Sequence, residues 1–228
     1  MDIGKSFTYV FEDPNWIMKV LIGGIVSIIP IVNFAAIGYM LTTLKNVADG
    51  QAQPLPEWGN FRDYFMKGLY AFIGILVYFL PMILIWCCVF AVGFAGGIGA
   101  SSAGRSGSDA IGGVMGIVIL CLQCIMGLYG LVAAITLWAP MTRFAMSQNQ
   151  LSIFWDFRGN FELISKNIAN YIIALLIAWV ASFVAGFGII LCVIGVFFTS
   201  FWAQLVNAHV FAQFWRASQG QGTVPAAA

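Results

Sequence analysis

Four apolar runs, residues 16–44, 69–99, 111–145 and 168–215, occupy most of this chain and leave few side chains that prefer water. A helix needs about 20 residues to cross the roughly 30 Å hydrocarbon layer of a bilayer, so every run is long enough to cross at least once. Only 8% of the 228 residues are charged, against about 25% in an ordinary soluble domain. So little polar surface cannot cover a water-facing globule. The pattern predicts an all-α, polytopic transmembrane bundle whose first partner is the lipid bilayer.

Two of the runs exceed one span, and each carries an interruption. In "IPIVN", residues 29–33, Pro30 lacks a backbone donor and disfavours helix at Ile29, which reads as a hairpin turn. In "GFGIILCVIGV", residues 186–196, a second tight turn is expected near Cys192 to Gly195. The small-residue stretch "GASSAGRSGSD", residues 99–109, reads as a polar loop, and Pro81 and Pro140 as kinks. The count is then about six spans in three hairpins, at 16–46, 62–146 and 163–216, with a short tail at 217–228, all in one membrane domain.

Lys and Arg favour the cytoplasmic face. With the amino terminus inside, nine of the ten basic residues fall in or beside cytoplasmic segments and only Arg105 lies outside. Both termini are therefore expected in the cytoplasm, in a multi-pass protein of the inner membrane. The first residues, with Asp2, Lys5, Glu12 and Asp13, do not resemble a cleaved signal. Aromatic stretches with interleaved charge predict amphipathic helices at the interface: Phe7, Phe11 and Trp16; Trp58, Phe61 and Phe65; Phe154, Trp155, Phe157 and Phe161. Lysines at each hairpin entry (Lys19, Lys67, Lys166) and basic exits (Lys45, Arg143, Arg216) suggest a threefold repeat, a pattern that interfacial anchoring alone also produces.

Between the first two hairpins lies "NVADGQAQPLPEWGNF", residues 46–61. Asp49 and Gly50 are placed to end a helix, Pro54 and Pro56 favour extended chain, and Glu57 and Trp58 open the next interfacial element. Together with "FEDPNW" (11–16), "IPIVNFAAIGY" (29–39), "KNVADG" (45–50), "PLPEW" (54–58), "VIGVF" and "NAHVFAQFWR" (207–216), this segment resembles an uncharacterised prokaryotic family of membrane proteins, domain-of-unknown-function family 4013. The resemblance implies membrane integration, with Asp49, Gly50, Pro54, Pro56, Glu57 and Trp58 as its connector signature. It supplies no activity and no catalytic residue.

The chemistry-bearing side chains are few. Ser200, Gln204 and Asn207 are spaced i, i+4, i+7 and share a stripe, with His209 and Gln213 nearby; such a stripe suits contact with other helices or a partner subunit. His209, the only histidine, offers a nitrogen to a haem or pigment, although hydrogen bonding is its plainer role. Cys87, Cys88, Cys121, Cys124 and Cys192 lie in apolar runs and are expected as buried small hydrophobes; "CLQC" has no second pair to complete a metal site. Spans without Asp or Glu argue against a charge-coupled pump, no catalytic constellation is readable, and a net charge of +1 gives no reason to expect nucleic acid. The chain is therefore read as a non-enzymatic scaffold or accessory subunit without a cofactor, partnered by other membrane subunits or itself. The alternatives are a transporter or channel for a small neutral or lipid-like solute and, third, a haem- or pigment-binding subunit.

Overall fold

The computed structural model describes residues 1–102, 105–191 and 194–220. In chain order the helices are α1 (Ile3–Thr8), α2 (Trp16–Ile28), α3 (Phe34–Ala48), α4 (Phe61–Ser102), α5 (Arg105–Thr136), α6 (Trp138–Met146), α7 (Phe157–Lys166), α8 (Ile168–Gly186) and α9 (Gly195–Ser218), joined by short 3-10 turns. No strand occurs among the described residues. The chain divides into two compact units, Met1–Gly74 with Trp138–Ala228, and Ile75–Leu137.

The first unit is built around α9. Phe201, Leu205, Val206, Ala208, Val210, Phe211, Ala212 and Phe214 are fully buried on it, and α1, α2, α3, α6 and α8 all pack against it. A helix that is apolar all round belongs inside a protein. Its neighbour α8 runs antiparallel to it, since Tyr171 meets Phe214 near one end and Thr199 donates to the Ala185 carbonyl near the other. On the α6 side, the ring of Phe211 stacks on Trp138 with centroids 4.5 Å apart.

The turn at Pro30 forms where the sequence places it, with α2 ending at Ile28 and α3 starting at Phe34. It draws Ile31 to φ 72°, a left-handed conformation that a β-branched residue rarely adopts. At the other end of α3, Gly50 takes φ +76°. Its N–H donates to the Val47 carbonyl and that of Gln51 to Asn46, the paired closing bonds of a Schellman cap. Near its start, α3 crosses α4 in backbone contact: a Cβ on Gly38 would lie 1.8 Å from the Tyr64 carbonyl oxygen, and one on Gly68 1.7 Å from that of Phe34.

The second unit holds most of α4 and α5, tied where the Tyr129 hydroxyl donates to the Tyr78 carbonyl at 2.7 Å. The helix α4 runs through Pro81 without a break. Pro140 instead falls in the first turn of α6, just after the interruption at Leu137, where a missing donor is tolerated.

Among the described residues three helical segments are long and apolar enough to cross a membrane, Trp58–Gly96, Gly112–Met146 and Ile168–Ile190, in place of the six spans expected. The helices α2 and α3 have 13 and 15 residues, about 20 and 22 Å at 1.5 Å per residue, short of the hydrocarbon layer. The 24 residues of α9 are long enough, but Gln204, Asn207, His209 and Gln213 lower its hydropathy. The expected loop at 99–109 is also corrected: α4 continues to Ser102 and α5 begins at Arg105. Glycine and serine weaken a helix by about 1 kcal/mol or less per residue without forbidding it. The turn expected near Cys192 to Gly195 falls partly outside the described residues; a 3-10 turn, Phe187–Leu191, precedes it and α9 starts at Gly195.

Candidate functional site

Hydrogen-bonding side chains of α9 point to two opposite faces. His209 and Gln213, one turn apart, face α1. The Gln213 amide accepts from the Asp2 backbone N–H at 2.5 Å and donates to the Asp2 carbonyl at 3.0 Å and to Ser6 Oγ at 3.1 Å. Its nitrogen also lies 3.0 Å from His209 Nδ1, and Ser6 Oγ, which donates to the Asp2 carbonyl at 3.0 Å, lies 3.0 Å from the same atom. Gln213 and Ser6 thus both border Nδ1, and whether that atom donates or accepts follows the ring's tautomer. The ring stacks on Tyr9 at 4.5 Å, whose hydroxyl donates to the Leu205 carbonyl at 2.7 Å. His209 is 2% exposed and engaged on its edge and face by the first ten residues of the chain.

On the other face, Asn207 is buried and Gln204 partly buried, and neither Gln204 Oε1 nor Asn207 Oδ1 has a hydrogen-bond donor among the described residues. Ser200 shares this face and is half-buried. Phe211, one turn beyond Asn207, fixes the face toward α6 and α8. The five residues of the stripe thus divide between two environments, because 209 and 213 lie about half a helical turn away from 200, 204 and 207.

The connector is held by a row of side-chain donors. Four consecutive carbonyls each accept one: Pro54 from Asn46 at 2.9 Å, Leu55 from Lys19 at 3.0 Å, Pro56 from the Tyr39 hydroxyl at 2.8 Å, and Glu57 from the Tyr64 hydroxyl at 2.7 Å. Prolines at 54 and 56 suit this strap, since they keep the chain extended and bring no N–H that would need a partner. Trp58 stacks on Tyr39 at 4.4 Å and donates from Nε1 to the Lys19 carbonyl at 3.0 Å. Lys19 itself sits 2.8 Å from both Asp13 Oδ2 and Glu57 Oε1, with its side chain and that of Asp13 only 5% and 4% exposed. Burial by itself would lower its ammonium, but the hydrogen bonds and charges of Asp13 and Glu57 hold it above the ordinary lysine range. No sequence signal pairs Lys19 with Asp13 and Glu57; the lysine reads there as an interfacial anchor.

Beside the strap opens a groove of about 590 Å³, lined by Thr42 and Lys45 of α3, Asn60 before α4, Asp63, Tyr64 and Lys67 of α4, and the turn after α6 at Ser147 to Asn149. The Gly38 and Gly68 crossing brings Lys45 and Lys67 to this one opening, close enough to repel each other. Lys45 is paired with Asp49 at 2.5 Å. Among the described residues Lys67 has no carboxylate within ion-pair distance, although Asp63 is four residues away on the same helix.

A further polar tie fixes α7. Asp156 caps it by accepting from the Gly159 N–H at 3.0 Å and from Arg143 at 2.8 Å, while Arg143 also donates to Asn160 at 2.7 Å. The Gly159 bond, then Arg143, hold the Asp156 carboxyl below the usual carboxylate range. The expected burial of the cysteines is not met: Cys87, Cys88, Cys121 and Cys124 are free and exposed on α4 and α5, and Cys192 lies outside the described residues. An apolar face is satisfied by lipid as well as by protein, and composition does not distinguish the two. Among the described residues no group of three or more His, Cys, Asp or Glu is arranged to hold a metal.

Among the described residues the chain is all-helical, with three helices long and apolar enough to cross a membrane and an internally strapped connector. The family model described as protein of unknown function (DUF4013) matches residues 22–194, and the chain belongs to that family. No curated protein matches it, and no solved structure does.

Proposed function

We propose that the chain is an integral protein of the cytoplasmic membrane that works by association, as a non-catalytic scaffold or accessory subunit. The observation that carries this reading is the nakedness of α4 and α5: only 6% and 11% of their most apolar stretches are buried within the chain. Phe90, Phe94, Ile117, Leu120 and Leu128 are 64–74% exposed. Such faces fit lipid and the helices of another subunit. The charged groups, by contrast, are mostly spent on the chain's own ties at Lys19, Lys45, Arg143 and Lys166, which leaves little buried charge for catalysis or ion coupling. The docking of residue 2 on residue 213 supports both termini lying on one face, and the basic residues favour the cytoplasmic one.

Extraction into native nanodiscs, followed by sizing and mass spectrometry of what co-migrates, tests the reading. A stoichiometric membrane partner is the expected result; a lone monomer that cross-links to nothing in its own membrane would sink it. The unpaired acceptors of Gln204 and Asn207 favour one second reading, passage of a small neutral solute past that face of α9. Solute uptake by proteoliposomes that is abolished by Asn207→Leu would move the assignment there.

A further inference from the structure

We infer that the groove between α3, the start of α4 and the turn after α6 binds the phosphate ester of an anionic membrane lipid. Lys67 supplies the reason. It stands at the sixth position after the start of α4, between the polar Arg62 and Asp63 and the apolar run that begins at Leu69, which is where a crossing helix meets the headgroups. Its ammonium has no carboxylate within ion-pair distance among the described residues, and it shares the groove with Lys45, whose own charge is already paired with Asp49. An anion in the groove would supply the counter-charge that Lys67 lacks. Paired basic side chains between helices at the membrane surface are the usual chemistry of acidic lipid headgroups.

The other lining groups fit the same ligand. The hydroxyls of Thr42, Tyr64 and Ser147 donate to the chain's own carbonyls, whereas the amides of Asn60, Gln148 and Asn149 make no hydrogen bond among the described residues and can donate to phosphoryl or glycerol oxygens. Asn149 is held at φ 59°, a conformation asparagine tolerates better than most residues. Asp63 is the one lining carboxylate and limits the site to one phosphate charge. From the groove, Met66 and Ile73, 36% and 38% exposed, lie seven residues apart on α4 and form an apolar track for an acyl chain.

The test is titration of the delipidated full-length protein in mild detergent with phosphatidylglycerol, phosphatidylcholine, or inorganic phosphate, read by native mass spectrometry and thermal stability. Wild type should bind one phosphatidylglycerol in preference to phosphatidylcholine. Lys67→Gln should weaken this about tenfold, the loss of one charge-assisted hydrogen bond, and Lys45→Gln should also weaken it. Lys67→Arg should retain it and serves as the check that position 67 tolerates change. Lys166→Gln, whose lysine is paired with Glu162 away from the groove, should bind as wild type does. Equal binding of phosphatidylglycerol by wild type, Lys67→Gln and Lys45→Gln would overturn the site. Protection by inorganic phosphate with no preference among lipids would overturn its assignment to a lipid. Either result leaves the proposed accessory role standing, because that role is read from co-migrating protein.

Discussion

Gly38 and Gly68 are each denied a side chain by a backbone oxygen of the other helix, and a backbone oxygen cannot rotate away as a side chain can. Gly38→Ala or Gly68→Ala must push α3 and α4 apart, which should destabilise the protein by about 3 kcal/mol or more, at the upper end of overpacking effects. Thermal unfolding in detergent checks this, with Gly59→Ala, where nothing lies within 4 Å, changing stability little. A charge-based prediction concerns Asp156. Its depressed carboxyl means that the cap and the Arg143 tie are intact above the ordinary carboxylate pKa and are lost only as pH falls through the lower folded value. The carboxyl resonance of Asp156 should titrate below the usual range, and Arg143→Gln should move its midpoint up. At this scale the sequence was legible where a residue type has few alternatives: Pro30 could only interrupt, and Gly50 suited a left-handed cap. Gly38 and Gly68 gave no such signal, since a glycine in an apolar helix reads the same whether it faces lipid or another backbone.

Among the elements, the strap at residues 54–57 joins α2, α3 and α4 through Lys19, Asn46, Tyr39 and Tyr64. Lys19→Met removes the cation and leaves Asp13 buried without it, a loss of about 3–5 kcal/mol for a broken buried pair. Lys19→Met with Asp13→Asn should recover part of that loss, and a thermal-shift comparison of the single and double variants checks it. Equal melting temperatures for wild type and Lys19→Met would remove the strap's role. The connector's position and its stop signals were readable in the sequence, but its purpose was not. Its carbonyls are captured by donors 7 to 36 residues away, and local pattern carries no record of such pairings. The same holds for the groove, whose turn at Ser147 to Asn149 comes from the far side of α4 and α5 in the chain.

For the molecule as a whole, hydropathy gave the helical class and misjudged the number of crossings, because it counts apolar residues without knowing whether lipid or protein covers them. The helix α9 is apolar because it is the core, while α4 and α5 are apolar on their exposed faces. This difference is measurable through the four exposed cysteines. If lipid surrounds them, a charged, water-soluble maleimide should react slowly with the protein in membranes, since the reactive thiolate is disfavoured there, and unfolding in denaturing detergent should release the reaction. Fast labelling of intact membranes would place Cys87, Cys88, Cys121 and Cys124 in water.

The core helix α9 also follows α1 to α8 in the chain. Until residues 195–218 leave the ribosome, α1, α2, α3 and α8 lack the helix they share as a core, and Asp2 waits for a partner 211 residues downstream. Nascent chains halted before α9 should therefore be protease-sensitive across the first unit, and a lesion within residues 195–218 should be as damaging as one in the middle of the chain.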